Sequence, residues 1–372
     1  MVLSVRELAN VDDLPREAWD QLVRDCRASI FFDSHILTAI FHHSVEAPLA
    51  IRYFAVMDGA DLVAAAVAYA LRTSIWWSYY EQLTGSPDLF GGPWIAMPSV
   101  LTWNGDIPLR AGSDAAEVAA LLVAAGRRFA RDHQAVALAI TNVTRDAPLT
   151  APLRAQADHA ILLDNDAVIP VHASFDAYLA SLQVDVRRDL VRRRRRAEER
   201  GCRWLTGRAS DFPPGTLDRL VDLINSGATR HGQEPEYSLA LIRELAAAPS
   251  ARVFLGTFEG EPIAGFLAHE DPVALHLQAG GWDSSRKELS PFVSIVYEVM
   301  AKAHAWSKQA VEFGRTNYVF KRKHGARLSP LHGLFYLTEH ADPGLRDRIL
   351  ALDRGIRDYI AAEGGDGSSV LG

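Results

Sequence analysis

Cysteine is scarce in this 372-residue chain: its two cysteines, Cys26 and Cys202, lie far apart and form no CxxC or other ligand-like spacing. That excludes a disulfide framework and a cysteine-built zinc site, and it fits reduced thiols in a cytoplasmic protein. Long apolar runs are missing too. No window approaches 18 consecutive apolar residues, and the N-terminus carries acids where a signal peptide needs an apolar core, so an unexported protein without membrane attachment is expected. There is no excess of positive charge. The formal net charge is -7, so any contact with phosphate or nucleic acid must come from a local basic patch. P-loop and nucleophile-elbow motifs are absent. No histidine pair has metal-ligand spacing; His42 and His43 are adjacent and expected to point two ways, so no metal site is expected.

What the chain does have is apolar content, 48% hydrophobic, enough for two sizeable cores. It also echoes itself. Residues 51–71 and 251–271 each read as an apolar run, an acidic-Gly turn (Asp58-Gly59, Glu259-Gly260) and a second apolar run, the pattern of a β-hairpin. Residues 127–141 and 302–316 then both pass from a helical pattern, through Gln-Ala-Val, into a strand. Two matches in the same order point to a tandem duplication. An α+β (mixed α/β) fold follows, with domains over residues 1–165 and 166–363 and a loose Gly/Ser-rich tail over 364–372.

Two segments concentrate cations. In residues 312–326 a strand-like run hands over to Tyr318, Phe320, Lys321, Arg322 and Lys323, a stretch too charged for core and too aromatic for a plain linker. Gly314 inside it marks a bulge or a close ligand approach. The second segment lies in an expected helix over residues 175–201 with an apolar stripe of Tyr178, Leu182, Val186 and Leu190, which contains five consecutive arginines, 192–196. Successive helical residues turn by about 100°, so the five cannot all face water. Arg193 and Arg194 fall nearest the stripe and need a carboxylate or an anionic ligand. The i,i+4 pairs Asp189–Arg193 and Arg194–Glu198 are available, at about 0.2–0.5 kcal/mol each. A solvated helix and a phosphate-binding face both fit this pattern.

The duplicated unit, the FxxYLxxLxxxxRxxLxRxxRxAExxG pattern of residues 175–201 and the late Phe320-Lys321 pair together resemble the Fem-type branch of the GNAT acyltransferase superfamily. The resemblance implies two tandem GNAT-like domains, each a mixed central sheet flanked by helices, and acyl transfer onto a small amine. It implies no tightly bound cofactor, with aminoacyl-tRNA or acyl-CoA as donor substrate and tRNA as a partner. It places Phe320 and Lys321 beside the reacting acyl group. Lys321 is then the candidate oxyanion-stabilising cation, and Glu312 or Tyr318 the candidate proton acceptor. Glu312 equally suits a structural pairing with Arg315 or Lys321. Arg315, Trp282, Arg230 and Tyr237 are candidates for substrate binding, and Arg187, Arg193, Arg194 and Lys323 for the anionic donor.

One departure bears on the donor. Acetyl-CoA enzymes of this superfamily hold pyrophosphate on a glycine-rich turn at a helix N-terminus. The corresponding segment here, residues 286–291, reads RKELSP, with Leu289 and Pro291 in place of small residues and Ser290 as the expected cap. That favours aminoacyl-tRNA as donor. Two alternatives are an acyl-CoA-dependent N-acetyltransferase and a non-catalytic GNAT-like protein that binds through the arginine helix.

Overall fold

The computed structural model describes residues 3–44, 46–85, 88–98, 101–230 and 234–363. The expected tail, 364–372, lies outside them. In chain order the elements up to the midpoint are β1 (Leu3–Leu8), α1 (Arg16–Cys26), α2 (Ser34–His43), β2 (Ala50–Asp58), β3 (Asp61–Leu71), α3 (Ile75–Thr84), β4 (Trp94–Met97), α4 (Ala115–Asp132), β5 (Ala137–Thr144), α5 (Thr150–Arg154) and β6 (His159–Pro170). They are followed by α6 (Phe175–Ser181), α7 (Val184–Glu199), β7 (Arg203–Gly207), α8 (Thr216–Arg230), α9 (Leu239–Ala247), β8 (Ala251–Phe258), β9 (Glu261–Glu270), β10 (Ala274–Trp282), α10 (Pro291–Ala305), β11 (Ala310–Glu312), α11 (Tyr318–Lys323), β12 (Arg327–Leu337) and α12 (Leu345–Ala362).

The chain divides into two compact units, one of residues 1–41, 46–166 and 329–372, the other of residues 42–45 and 167–328. The sequence-based division assigns residues 329–363 to the second domain; in the structure they join the first. In the first unit the strand order is β1-β2-β3-β4-β5-β12, and in the second β7-β8-β9-β10-β11-β6. The two orders correspond strand for strand. In each, strands two and three form the expected hairpin, with a register shift between Val56 and Met57 or between Gly256 and Thr257. In each, strands four and five run parallel. The sixth strand is antiparallel to the fifth and comes from the other half of the sequence: β12 pairs with β5, and Val168–Pro170 of β6 pair with β11.

Local sequence accounts for the main helices. The Asp114 carboxylate accepts from the Ala116 and Glu117 amides and so starts the Ala-rich α4. Its buried stripe of Val118, Leu122 and Phe129 packs on the first unit's sheet. The aromatics Trp77, Phe90, Trp94 and Phe335 form a core cluster in the same unit. In the second unit Tyr178, Leu182, Leu190, Phe254, Leu275, Ile295, Val299 and Val311 share one core. The single helix expected over 175–201 is two helices, because Leu182 and Gln183 take extended backbone angles between α6 and α7. The break lets Tyr178 and Leu182 of the first piece and Leu190 of the second all reach that core.

Candidate active site

The site is built where two parallel strands of the second unit part. β10 and β11 pair only over Ala274–Ala310, Leu275–Val311 and His276–Glu312. Beyond His276, β10 continues to Trp282 against β9, while the other strand turns away after Glu312. Beyond His276, β9 is the strand that pairs with β10 among the described residues. On one face of this strand Gly281 lies under α8: a Cβ there would stand 2.0 Å from the Leu223 carbonyl oxygen, so only glycine permits this approach.

The turn that carries β11 away is strained. Gly314, Thr316 and Asn317 all have positive φ, at 63°, 65° and 52°. For β-branched Thr316 that is an outlier, of the kind that persists where the surroundings over-determine it. The over-determining group is Lys321. Its buried ammonium donates to the carbonyl oxygens of Phe313 (2.8 Å), Gly314 (2.9 Å) and Arg315 (2.5 Å), one for each N–H. Lys321 thus holds the backbone from which Arg315 projects. Tyr318 begins α11 immediately afterwards and is fully buried.

Glu312 is taken by a partner that sequence reading missed. Its carboxylate lies 2.6 Å from His276 Nδ1, and Asp271 lies 2.9 Å from Nε2 of the same ring. Burial alone would lower the His276 pKa, but the charges of Glu312 and Asp271 and their hydrogen bonds push it up to about 10. The result is an imidazolium between two carboxylates, with Glu312 held in place rather than directed at Arg315 or Lys321. The signal for this pairing is cross-strand adjacency, visible only once the β10–β11 register is known.

Two residues further along, buried Gln278 donates through its side-chain amide to the Tyr237 hydroxyl at 3.4 Å, and that hydroxyl donates to the Gln278 main-chain carbonyl at 3.3 Å. Asn225 of α8 fixes the segment carrying Tyr237, donating to its carbonyl at 2.8 Å. Burial pushes the Tyr237 pKa up, and Arg315 is near enough to oppose part of the rise. The phenol therefore stays protonated, a donor rather than a base. Tyr237, Gln278 and Arg315 make a buried polar group that the sequence presented as separate residues. Outside it, Arg219, Asp222, Asn225, Ser226, Thr229, Asp283 and Ser284 line a cleft of about 630 Å³. Arg230 belongs to the same helix; its side chain, and residues 231–233, lie outside the described residues.

On the opposite face of β10, Trp282, Phe292 and Phe320 form an aromatic wall, with Phe292 6.4 Å from Trp282 and 4.9 Å from Phe320. This brings together two expected substrate-binding residues through a third, Phe292, that the sequence did not single out.

The expected donor cations separate into two groups. Arg194 is interior: it donates to Glu198 (2.6 Å), Glu298 (2.8 Å) and the Ser294 carbonyl (3.0 Å), and its guanidinium lies over Trp204 and Tyr297. Arg193 pairs with Asp189 at 2.6 Å, as its spacing implies. Lys323 is exposed on α11. Arg187, with Arg188, Arg192 and Arg195, lines a groove of about 340 Å³ floored by Leu179 and Val191. Before α10 stands the segment that corresponds to the superfamily's pyrophosphate turn. Leu289 is buried with Ala197, Cys202 and Ile263, and Arg200 donates to the Glu288 carbonyl at 2.8 Å. Pro291 takes the first helical position as expected. Ser290 does not cap by its side chain, because its left-handed backbone (φ 49°) directs the chain instead.

A family model of the acetyltransferase (GNAT) domain matches residues 184–322. No curated protein matches the chain. Similar solved structures include the crystal structure of FemX, at 12% identity and a TM-score of 0.60 over 93% of this chain and 100% of that one. L-PGS from Bacillus licheniformis matches at 11% identity and 0.53, over 85% and 95%. A tandem GNAT protein from the clavulanic acid biosynthesis pathway matches at 13% and 0.50, over 90% and 98%. At such identities the likeness is one of fold. The match to the GNAT domain model lies within the second unit, and the fold of the chain is similar to those of FemX and the tandem GNAT protein. No described helix is long and apolar enough to cross a membrane.

Proposed function

We propose that this chain is an N-acyltransferase that takes its acyl group from aminoacyl-tRNA and forms an amide on a small amine, in the cleft where β10 and β11 part. The observation that carries the donor assignment is the closed turn before α10. A pyrophosphate needs open backbone N–H groups at a helix N-terminus. Here Leu289 fills the space, Arg200 pins the Glu288 carbonyl, and Pro291 has no N–H to offer. The cations stand instead on the exposed groove of α7, where Arg187 and Arg188, with Arg192 and Arg195 beside them in ion pairs with Asp189 and Glu199, suit a phosphodiester backbone.

In this reading the donor's acyl carbonyl lies beside β10 beyond His276, next to Arg315. A neutral amine, entering past α8, attacks it; the C–N bond forms, the ester C–O bond breaks, and the amine's proton passes to the departing ribose oxygen. Arg315 stabilises the oxyanion and donates toward the leaving oxygen, while Tyr237, bonded to Gln278, lines the site beside it. Trp282, Phe292 and Phe320 wall the acyl side chain. Lys321 and Glu312 position this apparatus, the first through the 313–315 carbonyls and the second through His276. Acyl-CoA is the second reading, favoured by a family model named for acetyl transfer.

The test is amide formation from labelled aminoacyl-tRNA or acetyl-CoA across a panel of amines. Product is expected with the charged tRNA alone, and the triple charge reversal Arg188→Glu, Arg192→Glu, Arg195→Glu is expected to weaken tRNA binding about tenfold or more and flatten its salt dependence. Acetyl-CoA supporting the reaction, or stabilising the protein at low micromolar concentration, would overturn the donor assignment. Product with neither donor on any amine would overturn acyl transfer.

A further inference from the structure

His42 and His43 belong to the second unit, as does α9. His42 and His43 are consecutive, so regular helical geometry separates their side chains by about 100°. Contrary to the expectation that they point two ways, both rings turn onto the same carboxylate. His42 Nδ1 lies 3.5 Å from Glu244 Oε1, and His43 Nε2 lies 2.7 Å from Oε2. The rings meet edge to face at 5.9 Å, and one ligand atom from each of the three residues falls within 4.8 Å of the others.

A hydrogen bond accounts for the His43 contact. The His42 separation is longer than an ordinary N–H···O bond. It matches instead two ligands of one ion, since metal–ligand bonds of about 2.0–2.2 Å in tetrahedral geometry hold neighbouring ligand atoms roughly 3.3 Å apart. Two neutral imidazoles and one carboxylate bring a single negative charge to a divalent cation. The adjacent cation, Arg243, is engaged by Asp218 at 2.8 Å and does not compete for Glu244. The three side chains are each about a third exposed or somewhat more, at 42%, 35% and 31%, which leaves a path for an ion and room for a water as fourth ligand.

We propose that His42, His43 and Glu244 form a divalent transition-metal site. Its nitrogen-rich donor set suits Zn²⁺, and in the laboratory Co²⁺, over the oxygen-seeking Mg²⁺ and Ca²⁺. The bound ion clips residues 42–43 to α9 and keeps one coordination position for water. The site is separate from the cleft beside β10, and its test does not depend on acyl transfer.

The full-length protein, stripped by a chelator, is titrated with Zn²⁺ by calorimetry and with Co²⁺ by visible absorption at neutral pH. One equivalent is expected to bind, to raise the melting temperature, and to give the intense visible bands of four-coordinate Co²⁺. Glu244→Gln and His43→Gln, both of similar size to the originals, are expected to lose more than tenfold in affinity. As a measurement on the unaltered chain, Zn²⁺ is expected to protect His42 and His43 from acylation by diethyl pyrocarbonate, read by mass spectrometry. The proposal is overturned if the unaltered protein binds no more metal than Glu244→Gln, or if Zn²⁺ leaves the labelling of both histidines unchanged.

Discussion

Lys321 is hydrogen-bonded to the backbone around it. Its ammonium satisfies three consecutive carbonyl oxygens in a turn where Gly314, Thr316 and Asn317 are left-handed, and it makes that backbone tolerable. Lys321→Met keeps the length and removes the donors, so it is expected to cost about 3 kcal/mol in chemical denaturation, with activity falling because Arg315 loses its support. A lysine acting only on the acyl oxyanion would lose turnover at unchanged stability, and that result would return Lys321 to the direct role expected from sequence. The sequence marked the cation through its charge and aromatic neighbours. It did not mark the acceptors, because every residue has a carbonyl and no side-chain pattern announces which ones will converge. The same holds for Glu312, whose histidine partner is 36 residues away.

At the level of elements, β9 and β10 set His269 directly across from His276. Burial pushes His269 down to about 3, with the His276 charge adding to the effect, whereas His276 is held up at about 10. The signs therefore oppose. Between the ordinary histidine value near 6.5 and 3, the unfolded chain takes up a proton at His269 that the folded chain refuses, so stability falls as pH drops. Between about 6.5 and 10 the folded chain retains a proton at His276 that the unfolded chain has lost, so stability falls as pH rises. Denaturation midpoints are expected to peak near neutrality. His269→Gln should flatten the acid limb and His276→Gln the alkaline one; a profile unmoved by either change would show that neither histidine is so perturbed. Helix α7 was partly legible in the same terms: helical spacing identified the Asp189–Arg193 and Arg194–Glu198 pairs and the inward Arg194, whereas Arg193, expected beside the same stripe, is exposed. Glu298, the partner that makes Arg194 an interior residue, is 104 positions away and was not legible. Nor was the break after α6, where neither glycine nor proline stands.

For the whole molecule, the hairpin echo correctly indicated the duplication, because hairpins are local and carry their own turn chemistry. The origin of each sixth strand was hidden, since no local pattern in β6 or β12 says which sheet it will join. A chain ending at residue 328 lacks β12 and α12, both of which belong to the unit built from the N-terminal half. In hydrogen exchange this truncated chain is expected to lose protection over β5, residues 137–144, while the β8–β9 hairpin stays protected; the reverse pattern would contradict the strand assignment. The exchanged strand also imposes a schedule on the cell. β5 leaves the ribosome roughly 190 residues before Leu331, the first residue of β12 to pair with it. At about 5–20 residues per second, translation leaves that strand edge waiting roughly 10–40 s for its partner. During that interval the nascent chain presents Ala137–Thr144, apolar over Ala137–Ile140 and buried in the folded protein, as an open template for other strands. A nascent-chain chaperone, or a slow passage through the codons of the second half, would then decide how much of the protein folds at all.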